Sequence, residues 1–279
     1  MGAWHRELQY NRNIRIFNKA NTVLEFSHPM DISALRTTFA EQGLVILRGF
    51  ALPAEVALIR DAAMQALEAR AEPLELEASL AYPGAPSSID AQGGQTIRRL
   101  RGMVARSPVF MQWATHPRLL ALLRPLLGER ITLTQVHHNS LMTKQPSFSS
   151  DTLWHRDLRY WRFSQPQLVS CWLALGDENP ENGGLGFIPG SHHLTLPEAA
   201  FDAREFLLAE HPDAAPWIAK AQFPRLSAGD VVLFDARTFH AASRNSTEKT
   251  KYSLVMSYHA SDNLPLKNSR SAAEPGVDC

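Results

Sequence analysis

The segment Gly229-Asp-Val-Val-Leu-Phe-Asp-Ala-Arg-Thr-Phe-His240 combines a short apolar run, a turn and a histidine. Similar β-prone runs follow one another through the second half of the chain, each ended by turn-forming residues; they cover 131–142, 168–175, 185–188, 230–234 and 251–258. Short runs of β-branched and aromatic residues between turn signals are typical of the strands of a barrel or sandwich. The sequence therefore predicts a mainly β fold for this half.

The first half of the chain shows helical patterns instead. Asp31–Gly43 starts with a residue that favours the N-cap position, has apolar residues at helical spacing and ends on glycine. Residues 53–70 carry proline in the first turn, which favours a helix start, and 119–127 is a further helical candidate. Leu44–Phe50 lies between the first two and is typical of a strand. We expect these helices to pack against the sheet.

Length and composition favour one domain. The chain has 279 residues, of which 44% are hydrophobic and 20% charged, as in ordinary globular proteins. We predict a single domain over residues 1–265, followed by a small, polar and flexible tail at 266–279. Within the domain, the β core occupies about 131–260 and the supporting helices about 31–127.

Charge and cysteine usage exclude several classes of function. The 28 basic and 28 acidic side chains cancel, so no overall field favours nucleic acid as a partner. Cys171 and Cys279 supply neither a disulfide framework nor a cysteine metal site, which fits a reducing compartment. The N-terminal segment lacks the apolar core of a signal peptide, and no run is long enough to span a membrane. We expect a cytoplasmic protein; the sequence does not indicate its oligomeric state.

The residues with the most distinctive chemistry lie around Trp154-His155-Arg156-Asp157. On an extended segment, residues two positions apart project to the same face, so His155 and Asp157 can bind one cation together. His240 follows a strand and a turn, and another strand can therefore deliver it as a third ligand. Two histidines and one carboxylate leave open positions on one face of an octahedral metal, which suits iron(II). Alone, a His-x-Asp tripeptide is more often a solvated pair than a metal site.

A long polar stretch separates the helical candidates. Residues 72–97 contain Pro83-Gly-Ala-Pro86 and Gly93-Gly94 and are too numerous for a routine connection in a compact domain. Such a loop in an enzyme is a candidate cover for the site, and we expect it to be mobile.

Four blocks extend the metal motif and occur in a fixed order: His155-Arg-Asp-Leu-Arg-Tyr160, Val169-Ser-Cys-Trp-Leu-Ala174, Asn182-Gly-Gly-Leu-Gly-Phe-Ile-Pro-Gly-Ser-His192 and Gly229-Asp-Val-Val-Leu-Phe234 before His240. In these blocks the chain resembles the phytanoyl-CoA dioxygenase family of Fe(II)/2-oxoglutarate-dependent oxygenases. The resemblance extends over most of the stretch from Gly43 to Ala260. It implies a double-stranded β-helix, or jelly-roll, core flanked by α-helices.

The resemblance also implies the roles of the motif residues. His155, Asp157 and His240 occupy the positions of the family's iron ligands. Related halogenases carry a small residue where this chain has Asp157, so hydroxylation is favoured over halogenation. The implied reaction consumes 2-oxoglutarate and O2, releases succinate and CO2, and hydroxylates a small-molecule substrate.

The anchor of the cosubstrate departs from the family pattern. The family has an arginine about eleven residues beyond the last histidine, and this chain has Lys251 there. A lysine can neutralise the far carboxylate of 2-oxoglutarate but lacks the bidentate fork of arginine. Ser253 lies on the same face of the predicted strand and can assist. Arg244 is the rival anchor, and ordinary exposed polar residues remain an alternative for all three.

Further cosubstrate contacts are expected from the strand predicted at 131–142 and from Trp172. His137 and Asn139 share one face of that strand, and the family uses the equivalent strand to contact the oxo acid. Trp172 lies where the family places an aromatic residue beside the cosubstrate. Core packing is an equal alternative for these three residues. His138 is expected to point the opposite way, and His192 and His193 are interpreted as structural.

The substrate is not identified by the sequence. Arginines cluster near the motif and could meet an anionic substrate, or they are solvated and paired at the surface; they are Arg98, Arg99, Arg101, Arg156, Arg159 and Arg162. Two other classes of function remain open. A zinc hydrolase could use the same three ligands, although no general base is evident, and a non-catalytic jelly-roll protein could carry a vestigial site.

Overall fold

The computed structural model describes residues 25–26 and 31–279. The prediction that the chain begins without a signal peptide therefore lies outside the described residues. In the described part of the chain, none of the helices combines the length and apolar character that crossing a bilayer requires.

The strands concentrate in the second half, as predicted. They are β1 (Glu25–Phe26), β2 (Leu44–Leu47), β3 (Leu74–Leu76), β4 (Ile97–Arg101), β5 (Ile131–Leu133), β6 (Asn139–Lys144), β7 (Thr152–His155), β8 (Leu168–Ala174), β9 (Leu185–Phe187), β10 (Val231–Asp235), β11 (His240–Ala242), β12 (Lys251–Ala260) and β13 (Val277–Asp278). The α-helices are α1 (Ile32–Gln42), α2 (Pro53–Ala69), α3 (Met103–Arg106), α4 (Pro108–Ala114), α5 (Pro117–Leu127) and α6 (Ala215–Ile218).

The strands form a large and a small sheet. In the large sheet the neighbours run in the order β1-β2-β10-β8-β12-β6-β4-β3, with β5 on β12 and β13 on β5. In the small sheet β11 lies between β7 and β9. All pairs except β1–β2 are antiparallel. Two facing antiparallel sheets flanked by helices are the predicted jelly-roll fold, which is confirmed.

Alternation along the strands separates two apolar clusters. On β10, Val231 and Leu233 face the helices, whereas Val232 and Phe234 face the interior between the sheets. The outer cluster also takes residues from α1, α2 and α5, such as Leu35, Ile59 and Leu123. Burial of these helical side chains stabilises the packing of the helices on the large sheet, by about 1.5–3 kcal/mol for each large aliphatic side chain. The helices therefore hold the large sheet on one face and leave its other face to the site.

The first helix has the ends that its sequence predicts. The Asp31 carboxylate accepts hydrogen bonds from the backbone N–H groups of Ser33 and Ala34, at 2.8 and 3.3 Å. Gly43 ends the helix in the left-handed conformation, with φ of 74°. The chain then enters β2 directly, so this glycine sets the angle between α1 and the large sheet.

Two predictions about the ends of the β region were wrong. The strand predicted at 131–142 is divided into β5 and β6, and residues 134–138 between them are irregular. The tail 266–279, predicted to be flexible, packs on the sheet instead: β13 pairs with β5, and Ser271 is buried. Its polar composition concealed the few side-chain contacts that hold it. The prediction of a single domain over 1–265 stays a prediction.

Gly43 gives a stability test of this arrangement. A Cβ added at Gly43 would lie 2.5 Å from His192 Nδ1 and 2.5 Å from Thr238 Oγ1, in addition to the left-handed strain. We expect Gly43→Ala to lower the free energy of unfolding by about 2 kcal/mol or more. Gly49 has φ of 58° but nothing within 4 Å of its added Cβ, so Gly49→Ala should cost only about 1–2 kcal/mol. Thermal unfolding of both variants measures the difference, and equal melting temperatures would contradict the predicted crowding at Gly43.

Candidate metal and cosubstrate site

Three buried side chains meet where the small sheet faces the large one. His240 on β11 is the direct partner of His155 on β7 in the antiparallel register. Asp157 follows after one extended residue, at the start of a 3₁₀ turn over Asp157–Tyr160. One ligand atom from each residue lies within 4.8 Å of the other two. The structure thus brings together the residues predicted as metal ligands, and their role as ligands stays a proposal.

Hydrogen bonds to backbone carbonyl oxygens fix both histidines in the tautomer whose Nε2 can bind a metal. His155 Nδ1 lies 2.8 Å from the Leu153 carbonyl oxygen, and His240 Nδ1 lies 3.0 Å from that of Thr238. A carbonyl oxygen only accepts, so each Nδ1 donates its proton and each Nε2 keeps its lone pair. Burial lowers the pKa of both imidazoles, which favours the neutral rings. Two Nε2 lone pairs and one carboxylate are therefore available to a cation.

The Asp157 carboxylate is ionised and held in place. Burial alone would raise its pKa, but the neighbouring His138 holds the pKa well below its usual range. His138 Nε2 lies 2.9 Å from Asp157 Oδ1. The prediction that His138 points away was therefore wrong. Because residues 134–138 leave the regular strand, the alternation used for that prediction does not hold there.

A cavity of about 290 Å³ opens beside the three ligands. Its walls carry many more cationic than anionic side chains. The cationic residues are Arg98, Arg99, Lys144, Arg159, Lys251 and Arg270, and the described carboxylates in the lining are Glu75 and Asp157. A cavity of this charge favours anionic ligands.

Lys251, the predicted anchor, lines the cavity but already has a carboxylate partner. Its Nζ lies 3.4 Å from Glu178 Oε2 and 3.1 Å from Ser253 Oγ. Ser253 also donates to Glu178 at 2.6 Å, and the Trp172 indole N–H donates to the same carboxylate at 3.1 Å. Sequence reasoning missed Glu178 because it lies between the strands predicted at 168–175 and 185–188, in an isolated β-bridge with Leu226. Lys251 and Ser253 do form one cluster, as predicted, but around an internal anion.

Lys144 is a second lysine at the same end of the cavity. It is the direct partner of Lys251 across β6 and β12 and is buried. Its ammonium group donates to the Ser150 carbonyl oxygen. Burial, followed by the nearby Arg98, lowers its pKa to about 7. Sequence reasoning missed this residue, although its position at the end of a predicted strand region was a usable signal.

Arg98 completes this basic cluster. It is buried, its Nε lies 3.8 Å from Glu77 Oε2, and its NH2 donates to Thr152 Oγ1 at 2.7 Å. Together Arg98, Lys144 and Lys251 face the two buried carboxylates of Glu77 and Glu178. Glu77 pairs with Arg98 and Glu178 with Lys251, so Lys144 is the cation of this cluster without an ion pair among the described residues.

Two other predicted cosubstrate contacts lie elsewhere. The Asn139 side chain accepts from the Val104 backbone N–H at 3.0 Å, so it caps the start of α3 instead of facing the cavity. Arg244 pairs with Asp151 at 2.9 Å and is half exposed, outside the cavity lining. Neither residue belongs to the cavity lining, and their contacts with the oxo acid stay predictions. His137 and Trp172 do line the cavity.

The predicted cover, residues 72–97, partly lies over the cavity. Leu80 and Tyr82 form part of its wall, and the Tyr82 ring meets Phe206 edge to face at 5.5 Å. The Asp151 backbone N–H donates to the Pro83 carbonyl oxygen at 2.8 Å, which ties the segment to the β6–β7 connection. The mobility of this cover stays a prediction.

The chain is similar in sequence to one protein family and to relatives of named activity. The sequence profile of phytanoyl-CoA dioxygenase (PhyH) matches residues 39–253. The ectoine dioxygenase of Sphingopyxis alaskensis is 26% identical over 257 residues, covering 86% of this chain and 79% of the relative. The L-proline trans-4-hydroxylase of Streptomyces griseoviridis is 26% identical over 200 residues, covering 64% of this chain and 74% of the relative.

Solved structures share the fold. The non-haem α-ketoglutarate-dependent epimerase SnoN from nogalamycin biosynthesis superposes with a TM-score of 0.67 at 25% identity, covering 82% of this chain and 83% of SnoN. EctD from S. alaskensis, solved with 2-oxoglutarate and 5-hydroxyectoine, superposes with a TM-score of 0.71 at 23% identity. That match covers 89% of this chain and 85% of EctD.

The pairing of Lys251 with Glu178 leads to a stability prediction. Lys251→Met leaves the buried Glu178 carboxylate without its cation, and we expect a loss of about 3 kcal/mol or more in the free energy of unfolding. The double variant Lys251→Met/Glu178→Gln removes both charges and keeps an acceptor for Trp172 and Ser253, so it should recover most of the loss. Urea unfolding measures both. A single variant as stable as the parent would show that Glu178 does not depend on Lys251.

Proposed function

The chain belongs to the phytanoyl-CoA dioxygenase family, and we propose that it is an Fe(II)/2-oxoglutarate-dependent dioxygenase that hydroxylates a small organic molecule. The observation that carries this proposal is the buried group of two Nε2 lone pairs and one carboxylate. Relatives named ectoine dioxygenase and L-proline trans-4-hydroxylase support hydroxylation of a compact substrate.

The donor set of the three residues fits iron(II). Two neutral imidazoles and one carboxylate on one side of a cation leave the other side to exogenous ligands. Iron(II) bound there would take 2-oxoglutarate and O2 and supply the oxidant for hydroxylation, with release of succinate and CO2. The Leu153 and Thr238 carbonyls orient the two imidazoles, and His138 orients the Asp157 carboxylate.

The basic cluster of Arg98, Lys144 and Lys251 in the cavity wall suits the far carboxylate of 2-oxoglutarate. Lys251 is balanced by Glu178, whereas Lys144 donates only to a carbonyl oxygen among the described residues. We therefore assign the direct contact with the carboxylate to Lys144, and to Lys251 the role of holding Glu178 and Trp172 in place. A buried carboxylate bound there would balance the cluster. Apolar walls from Leu185, Phe234 and Ala242 would exclude water from the bound oxo acid.

The alternative of a zinc hydrolase is disfavoured by the same cavity. A hydrolase of this type needs a general base beside the metal-bound water. The described carboxylates of the lining are Asp157, which belongs to the ligand group, and Glu75, which is bound by Arg99. The remaining imidazoles of the lining, His137 and His138, are bound to Ser271 and Asp157. Family membership supports the dioxygenase instead.

The metal assignment predicts which variants lose iron. His155→Ala and His240→Ala each remove one of three ligands, and we expect the bound iron(II) to fall from about one per chain to a small fraction. His193→Ala is the matched control. His193 is exposed, its Nε2 contacts the Ala40 carbonyl oxygen, and it does not belong to the group of three candidate ligands. Metal content after anaerobic dialysis and 2-oxoglutarate-dependent succinate release are measured together. Full iron content in His240→Ala would contradict the assignment.

The pKa of Lys144 predicts how cosubstrate binding depends on pH. The free protein holds this pKa at about 7 through burial and Arg98, with Glu77, Lys251 and Asp151 also nearby. A carboxylate bound beside the ammonium group raises the pKa again, so binding takes up a proton above pH 7. The dissociation constant for 2-oxoglutarate should be flat below pH 7 and should rise by up to about tenfold per pH unit above it.

Calorimetric titrations at several pH values, in buffers of different ionisation enthalpy, measure both the affinity and the proton uptake. Lys144→Met should weaken binding and abolish the pH dependence, whereas Lys249→Met, at an exposed lysine, should change neither. An affinity of the parent protein that stays constant from pH 7 to 9 would count against Lys144 as the contact.

A further inference from the structure

The cavity lining contains a buried arginine, Arg159, that forms no ion pair with any carboxylate of the described residues. Arg159 is 8% exposed and lines the cavity. Its NH1 donates to the Arg204 carbonyl oxygen at 3.1 Å, and its NH2 lies 3.4 Å from the Tyr82 hydroxyl. Its Nε has no hydrogen-bond partner in the described structure. A buried guanidinium with an unused donor is costly unless a ligand completes its contacts.

Aromatic rings hold this guanidinium in a fixed orientation. The Arg159 Cζ lies 4.0 Å from the centre of the Phe206 ring and 4.4 Å from that of Tyr160. A guanidinium in contact with two rings makes its hydrogen bonds through the edge of its plane. Arginine in this arrangement is suited to a planar or tetrahedral oxyanion, because its N–H groups point outward along one edge.

The C-terminal segment adds a second cation, Arg270, to the lining of the same cavity. Ser271 Oγ accepts from the Arg162 backbone N–H at 2.8 Å and lies 2.7 Å from His137 Nε2. Burial and the nearby His138 lower the pKa of His137 to about 3, so the ring is neutral and can accept the serine proton. These two contacts place the adjacent Arg270 in the cavity lining. None of the described carboxylates forms an ion pair with Arg270.

The nearby acidic side chain does not balance these cations. Glu75 accepts two hydrogen bonds from Arg99, and Arg101 lies 3.9 Å from the same carboxylate. The structure also separates the arginines considered from the sequence. Arg156 stacks over Phe239, and Arg162 donates to backbone carbonyls, so neither faces the cavity. Apart from Lys144, Arg159 and Arg270 are therefore the cations of the cavity lining that form no ion pair among the described residues.

We infer that Arg159 and Arg270 form an oxyanion-binding site and that the molecule oxidised by this enzyme is an organic acid, held by its carboxylate or phosphate group. The inference rests on the proposed dioxygenase function for its catalytic meaning, but the anion site itself does not. Arg159 lies in the same 3₁₀ turn as Asp157. An acid bound to Arg159 keeps its carbon skeleton beside the metal ligands, in the remaining volume of the cavity.

Matched probes that differ in charge test the site directly. Benzoate, phenyl phosphate and the neutral benzamide are titrated calorimetrically into the iron-loaded protein, with 2-oxoglutarate saturating and oxygen excluded. We expect one of the two anions to bind at least about tenfold more tightly than benzamide, as charge-assisted hydrogen bonds require. Preference for phenyl phosphate identifies a phosphate site, and preference for benzoate a carboxylate site. Equal binding of all three probes overturns the inference.

Substitutions of the two arginines identify where the anionic probes bind. Arg270→Met should reduce the preference for the anion several-fold, and Arg159→Met should abolish it, while Arg36→Met, at an exposed arginine on α1, should leave it unchanged. Arg270 is exposed, so its replacement tests the site even where loss of the buried Arg159 unfolds the protein. An unaltered preference in Arg270→Met and in a folded Arg159→Met overturns the inference.

The dioxygenase function and the anion site can be contradicted independently of each other. If the protein binds neither iron(II) nor 2-oxoglutarate, the dioxygenase function is contradicted. The same titrations on metal-free protein then still decide the anion site, because a preference lost in Arg270→Met and retained in Arg36→Met supports it.

Discussion

The pairing of His240 with His155 across β11 and β7 is the constraint on which the rest of the site depends. The two strands are distant in sequence, and only this register places both imidazoles on the cavity side of the small sheet. A shift by one residue would turn His240 to the opposite face. The outer apolar cluster fixes the large sheet, and the contacts of Phe234 on β10 with the Phe187 and His240 rings fix the small sheet against it. Packing of the core therefore determines the geometry of the ligands.

Buried charge is the second organising feature of the molecule. The cavity beside the candidate metal ligands is lined by many more basic than acidic side chains. Glu77 and Glu178 pair with Arg98 and Lys251, and Glu75 is bound by Arg99. Unpaired buried cations are expensive, so such an arrangement is expected where ligands supply the missing anions. An oxo acid beside Lys144 and an acidic substrate beside Arg159 would supply them.

The sequence predicted the features that depend on local pattern. Asp31 and Gly43 mark the ends of the first helix, the strands around Trp172 and Val232 follow apolar runs, and the four family blocks contain or precede the three residues that the structure brings together as candidate metal ligands. The face of His138 and the site of Asn139 could not be predicted, because both depend on where the strand at 131–142 is interrupted. Glu178 and Lys144 were missed for a related reason. The ion pair of Glu178 with Lys251 and the burial of Lys144 beside Lys251 both arise from contacts between distant segments. Only the position of Lys144 near the end of a predicted strand gave a signal in the sequence.

The central claim is that one iron(II) ion and one 2-oxoglutarate occupy this cavity in a defined orientation. Anomalous X-ray diffraction at the iron absorption edge, from crystals grown anaerobically with iron(II) and 2-oxoglutarate, tests it most directly. The account predicts a single strong peak bonded to His155 Nε2, His240 Nε2 and the Asp157 carboxylate, with the far carboxylate of the oxo acid within hydrogen-bonding distance of Lys144. An anomalous peak at other residues, or an oxo acid whose far carboxylate lies against Arg159 instead, would contradict it.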